Sequence, residues 1–226
     1  MKPLALDLCC GLGGWTEGLI AAGWNVVGVD IDDDFRRAYP GVFVRADARA
    51  LRVWTPPSWG GKVLRCPNGG DIPLDRLYLV VASPPCQEFS RHQMPWTKSK
   101  NPPPPDKSIW EACVRIAQEA NAPLILENVR EAQNWMGRAK WHCGSFYLWG
   151  DVPALMPRVS HRPKESMSST ARAERAKVPF TLAKWIGECF HPDEPETTER
   201  VQDVAASETP RNVTKRQKVV PMKRVG

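Results

Sequence analysis

No run of 18 apolar residues occurs anywhere in this 226-residue sequence. A helix that crosses a membrane needs about that length, so none is expected. A charged-then-apolar leader is also missing, because Met1-Lys2-Pro3 passes within three residues into a strand-like segment. Seven cysteines are an odd number, and no two of them form a C-x-x-C pair. That speaks against a disulfide framework and against a zinc site, and for reduced thiols in a cytoplasm. The pair His142-Cys143 has no ligand-type neighbours, so no metal is expected there. Acids are absent from the last sixteen residues, Arg211 to Gly226, which hold six bases.

The formal net charge is +6, and the six tail bases account for all of it, leaving 25 bases and 25 acids in residues 1–210. Within those, residues 1–82 balance at nine of each, while residues 83–190 hold 15 bases and 10 acids. Positive charge therefore collects in the second half and the tail, as a polyanion partner would require. Ordinary surface lysine and arginine would give the same count.

With 226 residues and 42% hydrophobic side chains, the chain suffices for one sizeable α/β domain. Strands are expected at Leu4–Leu8, Asn25–Asp30, Val42–Val44, a run ending at Ser83, and Leu124–Leu126. Helices are expected over Trp15–Ala22, near Phe35–Ala38, around Trp110–Ala117 and over Leu182–Cys189, with a further strand near an edge at Gly144–Trp149. Such alternation implies a mostly parallel sheet with helices on both faces and ligands at the carboxyl ends of the strands. Residues 53–76, rich in Pro and Gly, read as a surface insertion, and 91–108 as a long loop. From His191 onward periodicity stops, as in a disordered tail. The domain is thus placed at 1–190 and the tail at 191–226. Cys9, Cys10, Cys113 and Cys189 fall in apolar patterns and read as small core residues.

Three constellations carry chemistry. Asp7-Leu8-Cys9-Cys10-Gly11-Leu12-Gly13-Gly14 joins a strand to a helix through glycines, which allow a tight turn and close approach of a ligand. Asp30 and Asp47 end the next two strands; the first can accept hydrogen bonds from ribose hydroxyls, and the second lies within reach of an adenine amino group. Ser83-Pro84-Pro85-Cys86 follows the run Leu77–Ala82 and holds a thiol on a stiff turn. A nucleophile aimed into a pocket and a buried structural cysteine both fit that tetrad. Glu127-Asn128-Val129 ends the neighbouring strand, where Glu127 is either a capping carboxylate or an acid–base partner for Cys86.

Taken together and in this order, these elements resemble the DNA (cytosine-5)-methyltransferases that use S-adenosylmethionine. The resemblance covers roughly residues 4–190, with weaker matches at Arg138–Lys140 and Thr181–Cys189. It implies a Rossmann-like class I methyltransferase fold. It also implies a reaction in which the Cys86 thiolate adds to C6 of a flipped cytosine in DNA, Glu127 serves N3, and C5 takes the methyl group. Arg138 is the implied third catalytic group. Asp7, Cys9, Gly11, Gly13, Gly14, Asp30, Ile31, Asp47 and Pro84 are implied to meet the cofactor. Pro85, Gln87, Ser90, Asn128 and Lys140 are implied to meet the substrate, with Arg138 or Lys140 at the cytosine O2. The loop Arg91–Lys107 would close over the base.

Amino-directed DNA methyltransferases share Ser-Pro-Pro but follow it with an aromatic residue, whereas here Cys86 follows. Two departures stand out. The family has Phe where this chain has Cys9, a change that implies either lower cofactor affinity or compensation by Ile31 and Trp15. The large recognition domain is reduced to about 25 residues at Asp151–Arg175, basic at Arg158, Arg162, Lys164, Arg172 and Arg175. A very short target sequence, or a partner that supplies recognition, is the expectation. The tail Arg211–Gly226 would add salt-dependent DNA affinity. A monomer in the cytoplasm of a bacterium or a phage-infected cell, with restriction–modification as its setting, completes the picture. Two alternatives stay open: an RNA (tRNA) cytosine-5 methyltransferase, and a non-catalytic DNA-binding or regulatory module that keeps the fold.

Overall fold

In the computed structural model of the chain, residues 2–57, 60–67, 70–91, 103–157, 174 and 176–192 are described. They form a seven-stranded sheet and a three-stranded one. The strands of the large sheet are β1 (Leu4–Leu8), β2 (Asn25–Asp30), β3 (Val42–Arg45), β7 (Leu77–Ala82), β8 (Leu124–Asn128), β9 (Trp141–Cys143) and β10 (Phe146–Gly150). Their order is β3-β2-β1-β7-β8-β10-β9. The first five are mutually parallel, and β10 runs antiparallel to both β8 and β9. The expected mostly parallel sheet with helices on both faces is therefore observed.

Strand periodicity decides what lies on each face. Leu6 and Leu8 of β1, Val27 and Val29 of β2, and Val80 and Ala82 of β7 are buried in one cluster. That cluster includes Trp110, Cys113 and Ile116 of α3 (Ser108–Ala120). The alternate residues Ala5, Val26, Leu79 and Val81 are buried in a second cluster. Trp15 and Leu19 of α1 (Gly14–Ala21) complete it, with Leu182 and Ile186 of α5 (Phe180–Phe190), the helix that follows the short α4 (Gln133–Met136) in the chain. A parallel sheet covered on both faces reads as near-continuous apolar runs, which is what Leu77–Ala82 and Leu124–Leu126 show. α3 stops where Asn121 turns left-handed, φ 58°, a conformation Asn tolerates.

The segment 53–76 departs from the expected surface insertion. With Arg52 it contributes an antiparallel sheet of β4 (Arg52–Trp54), β5 (Val63–Arg65) and β6 (Ile72–Pro73). Leu64, Cys66 and Leu74 are buried in the first cluster, so the segment extends the core. The strand expected near an edge at Gly144–Trp149 is β10, next to last in the sheet, with β9 paired to its outer side. Cys10 and Cys113 are buried and Cys9 is half-buried, but Cys189 is exposed on α5 rather than in the core. All seven cysteines are outside disulfides. Among the described residues no helix is long and apolar enough to cross a membrane.

Contacts divide the chain into Met1–Pro192 and Asp193–Gly226. Residues 193–226, most of the loop 91–107 and most of the basic stretch 151–175 lie outside the described residues. The expectations placed on them concern sequence alone.

Candidate active site

Each strand that ends on this edge of the sheet sends residues into one cavity of about 570 Å³, a volume usual for a small-molecule site. Cys9 to Leu12 follow β1, Asp30 and Ile31 close β2, Ala46 to Arg49 follow β3, Ser83 to Gln87 follow β7, and Glu127 and Val129 come from β8. The strand order changes direction between β1 and β7. Loops there diverge, which is why open α/β sheets bind ligands at that point.

On the β1–β3 side, Gly11 turns at φ +49° with open space where a Cβ would stand, and its N–H donates to Asp30 Oδ2 at 2.9 Å. Asp30 Oδ1 accepts from the Asp32 N–H at 3.0 Å, so the carboxylate is pinned at the end of β2 with its side chain only half-buried. Ile31, 60% exposed, and Phe35 supply apolar wall beside it. Cys9 takes φ 56°, an uncommon backbone for a residue other than glycine. Its thiol is pushed well up, first by a hydrogen bond with Cys113 and then by burial, which leaves it a neutral packing group. Asp47 lines the cavity, but Arg49 holds both of its oxygens at 2.6 to 3.0 Å and keeps the carboxyl below its usual range.

The β7–β8 side holds the reactive pair. Val80 pairs with Leu124 and Ala82 with Leu126, a register that sets Ser83 beside Glu127. The Pro84-Pro85 turn then carries Cys86 to the start of α2 (Gln87–Ser90), where its carbonyl accepts from Phe89 N and Ser90 N. Phe89 lies edge-on to Trp110 (centroids 6.0 Å), and Trp110 edge-on to Trp149 (5.2 Å). This chain of rings anchors α2 to α3 and β10. Asn128 braces the turn from behind, its Nδ2 donating to the Pro84 carbonyl at 2.9 Å. Glu127, 9% exposed, lines the cavity. Burial pushes its carboxyl up to about 7, while a hydrogen bond from Ser83 opposes the shift by favouring the charged form.

Of the residues singled out in the sequence, Cys9, Cys10, Gly11, Gly14, Trp15, Asp30, Ile31, Asp47, Ser83, Pro84, Pro85, Cys86, Gln87 and Glu127 line this cavity. The others do not. Asp7 is fully buried on the α1 face, where its Oδ2 accepts from Thr16 Oγ1 at 2.7 Å and from Tyr39 Oη at 3.5 Å. Gly13 turns at φ +79° against Pro40 and Tyr39 and serves packing. Asn128 is the brace just described, and Ser90 lies at the far end of α2. Arg138 and Lys140 are exposed outside the wall, and Lys140 instead gives its N–H to the Leu148 carbonyl at 2.8 Å. Phe35, Ile109, Ser145, Phe146 and Lys177 line the cavity without having been singled out. Only Phe35, an aromatic in the turn after Asp30, carried a local signal. Among the described residues no group of three or more His, Cys, Asp and Glu could hold a metal ion.

A family model described as C-5 cytosine-specific DNA methylase matches residues 4–139. No curated protein sequence matches the chain. Among solved structures, a protein described as a DNA modification methyltransferase encoded within an E. coli prophage is 16% identical. The match covers 60% of this chain and 34% of that one, with a TM-score of 0.40. The Dnmt2 methyltransferase of S. pombe is 16% identical over 59% of this chain and 36% of its own, with a TM-score of 0.36. The glycopeptide N-methyltransferase MtfA complexed with S-adenosyl-L-methionine is 13% identical over 72% and 66%, with a TM-score of 0.33. The chain spans about a third of the length of the first two.

Proposed function

This chain belongs to the C-5 cytosine-specific DNA methylase family, and we propose that it methylates C5 of cytosine in DNA through a covalent Cys86 adduct. Its architecture is that of a Rossmann-like class I methyltransferase, and its cofactor is S-adenosylmethionine. The residues fit that group. Gly11 leaves its backbone open to a ligand, Asp30 offers a pinned carboxylate for ribose hydroxyls, and Ile31 and Phe35 offer apolar surface for a base. When bound, the cofactor supplies an electrophilic methyl group.

One observation carries the reading: Cys86 and Glu127, from adjacent parallel strands, line the same cavity as the glycine turn. The stiff diproline turn and the Asn128 brace hold Cys86 in place, so little entropy is lost in aiming it. The Cys86 thiolate forms a bond to C6 while Glu127, whose raised value keeps a large share of it protonated near pH 7, gives its proton to N3. The pair of electrons displaced from the C5–C6 double bond makes C5 nucleophilic toward the methyl group. A water admitted to the cavity takes the C5 proton, the electrons of that C–H bond re-form the C5–C6 double bond as Cys86 leaves as thiolate, and N3 returns its proton to Glu127. Cys86 is only half-buried, but a base stacked in duplex DNA cannot reach it, so the cytosine flips out at a cost of about a few kcal/mol. Arg138 and Lys140, outside the wall, are left for the DNA backbone, where contacts position but do not specify.

The test is bisulfite sequencing of plasmid DNA from cells that express the chain in a host without cytosine methylation, beside Cys86→Ala. Protected cytosines in one short context, absent in the variant, are the expected result. Protection in neither would overturn the reading of an unaided DNA methyltransferase and turn attention to RNA substrates, a missing partner or a non-catalytic module.

A further inference from the structure

Ser83 is the first residue past β7, and its N–H donates to the Leu8 carbonyl of β1 at 3.1 Å. The indole Nε1 of Trp15, at the start of α1, donates to Ser83 Oγ at 3.1 Å. An indole N–H can only donate, so the Ser83 oxygen accepts from it. The hydroxyl proton is then free to turn toward the other neighbour, the Glu127 carboxyl, which accepts when ionised. Trp15 is 2% exposed and packed among Leu19, Leu182 and Ile186, so its N–H cannot swing away.

We propose that Ser83 is a positioning residue for the reaction: fixed by Trp15, its hydroxyl holds one oxygen of Glu127 and leaves the other, proton-bearing oxygen facing the cavity. The inference rests on the cytosine-5 reading of the site. Its chemical logic is that a carboxyl group in a dry pocket has two oxygens and a freely rotating proton. A donor committed to one oxygen assigns the proton to the other, where N3 of the base would be. The same hydrogen bond stabilises the carboxylate that remains after proton transfer, and so keeps Glu127 within reach of neutral pH. Trp15 belongs to the helix that follows the cofactor turn, so the relay also joins the β1 side of the cavity to the acid on β8.

The experiment is a titration of the side-chain carboxyl of Glu127 by carbon NMR in the full chain, with the signal assigned through Glu127→Gln. Ser83→Ala is expected to raise the midpoint by about one pH unit, as for loss of a hydrogen bond to a charged group. Ser83→Thr, which keeps the hydroxyl, is expected to restore it. Trp15→Phe is expected to raise it by less, because the hydroxyl remains but is no longer held. The alkaline limb of kcat for methyl transfer should move with the midpoint in each variant. A Ser83→Ala protein that is less stable or slower, yet titrates like the wild type, would overturn the proposal and leave Ser83 a structural residue. If Ser83→Ala does not fold, Trp15→Phe decides by the same criterion. The titration needs no turnover, so a protein without methyl transfer would overturn the functional reading while the midpoints still judge the relay.

Discussion

Two carboxyl groups are buried at the same edge of the sheet, Asp7 beneath the β1 turn and Glu127 at the end of β8, and they serve different ends. Asp7 is fully enclosed, held by Thr16 and Tyr39, and pushed up to about 8 by burial, with the charge of Asp30 adding to the shift. Its Oδ1 has no partner, and its surroundings are the packed interior beneath α1. Glu127 is pushed up less, to about 7, and opens on the cavity beside Cys86. A perturbed carboxyl alone does not mark a catalytic group. The difference lies in the space in front of the oxygen: Asp7 faces side chains, Glu127 faces room for a ligand.

The largest expected effect is on the Glu127 side. Cys86→Ala should bring methyl transfer, followed with labelled methyl donor, down to background, because the other two thiols that line the cavity, Cys9 and Cys10, are pushed up and stay neutral. Glu127→Gln should lower kcat by about 10²–10⁴, the usual weight of a general acid. Its pH profile should change in shape as well. In the wild type the neutral, proton-giving form is lost as pH rises through about 7, so activity falls on the alkaline side, and Glu127→Gln should lack that fall.

Asp7→Asn should act on stability and spare kcat, which would sharpen the contrast. The folded-state value of Asp7 is raised, so the protein binds that proton more tightly than the unfolded chain. Wild-type stability should therefore drop as pH rises from about 4 to about 8, by up to about 1.4 kcal/mol per unit. Asp7→Asn should lack that slope, and its melting temperature should gain on the wild type across the same window. A large loss of kcat in Asp7→Asn, with stability intact, would break the distinction. The smallest effect is expected from Ile31→Ala on the cofactor wall, a rise in Kd for S-adenosylmethionine of about 3- to 10-fold by calorimetry, from about 1 kcal/mol of lost apolar contact.

Much of the frame was legible because it follows from periodicity and punctuation. The runs at Leu4–Leu8, Leu77–Ala82 and Leu124–Leu126 are strands, and the glycine turn, diproline turn and Glu127 all come to the strand ends. Orientation was harder to read. Asp7 belongs to a motif of which Gly11 and Gly14 line the cavity, yet alternation along β1 sets it on the same face as Ala5, toward α1. Gly11 and Gly13 look alike in sequence, but only the first has empty space at its Cβ. Arg138 and Lys140 rested on a weak family match with irregular spacing, and the short β9 that follows them had no run long enough to announce it. β4, β5 and β6, of three, three and two residues, gave no periodic signal for the same reason. Ser145, Phe146 and Lys177 reach the site through long-range packing, which local pattern does not encode.

The ring chain beneath the diproline turn has an optical consequence. Trp110 and Trp149 stand 5.2 Å apart and nearly perpendicular, at 83°, close enough for their electronic transitions to mix. Phe89 ties that pair to the short helix bearing Cys86. Any motion of that helix on loading the site would turn one indole against the other. The near-ultraviolet circular dichroism of the protein therefore contains a built-in gauge of how Cys86 is held, readable without a label and before any chemistry occurs.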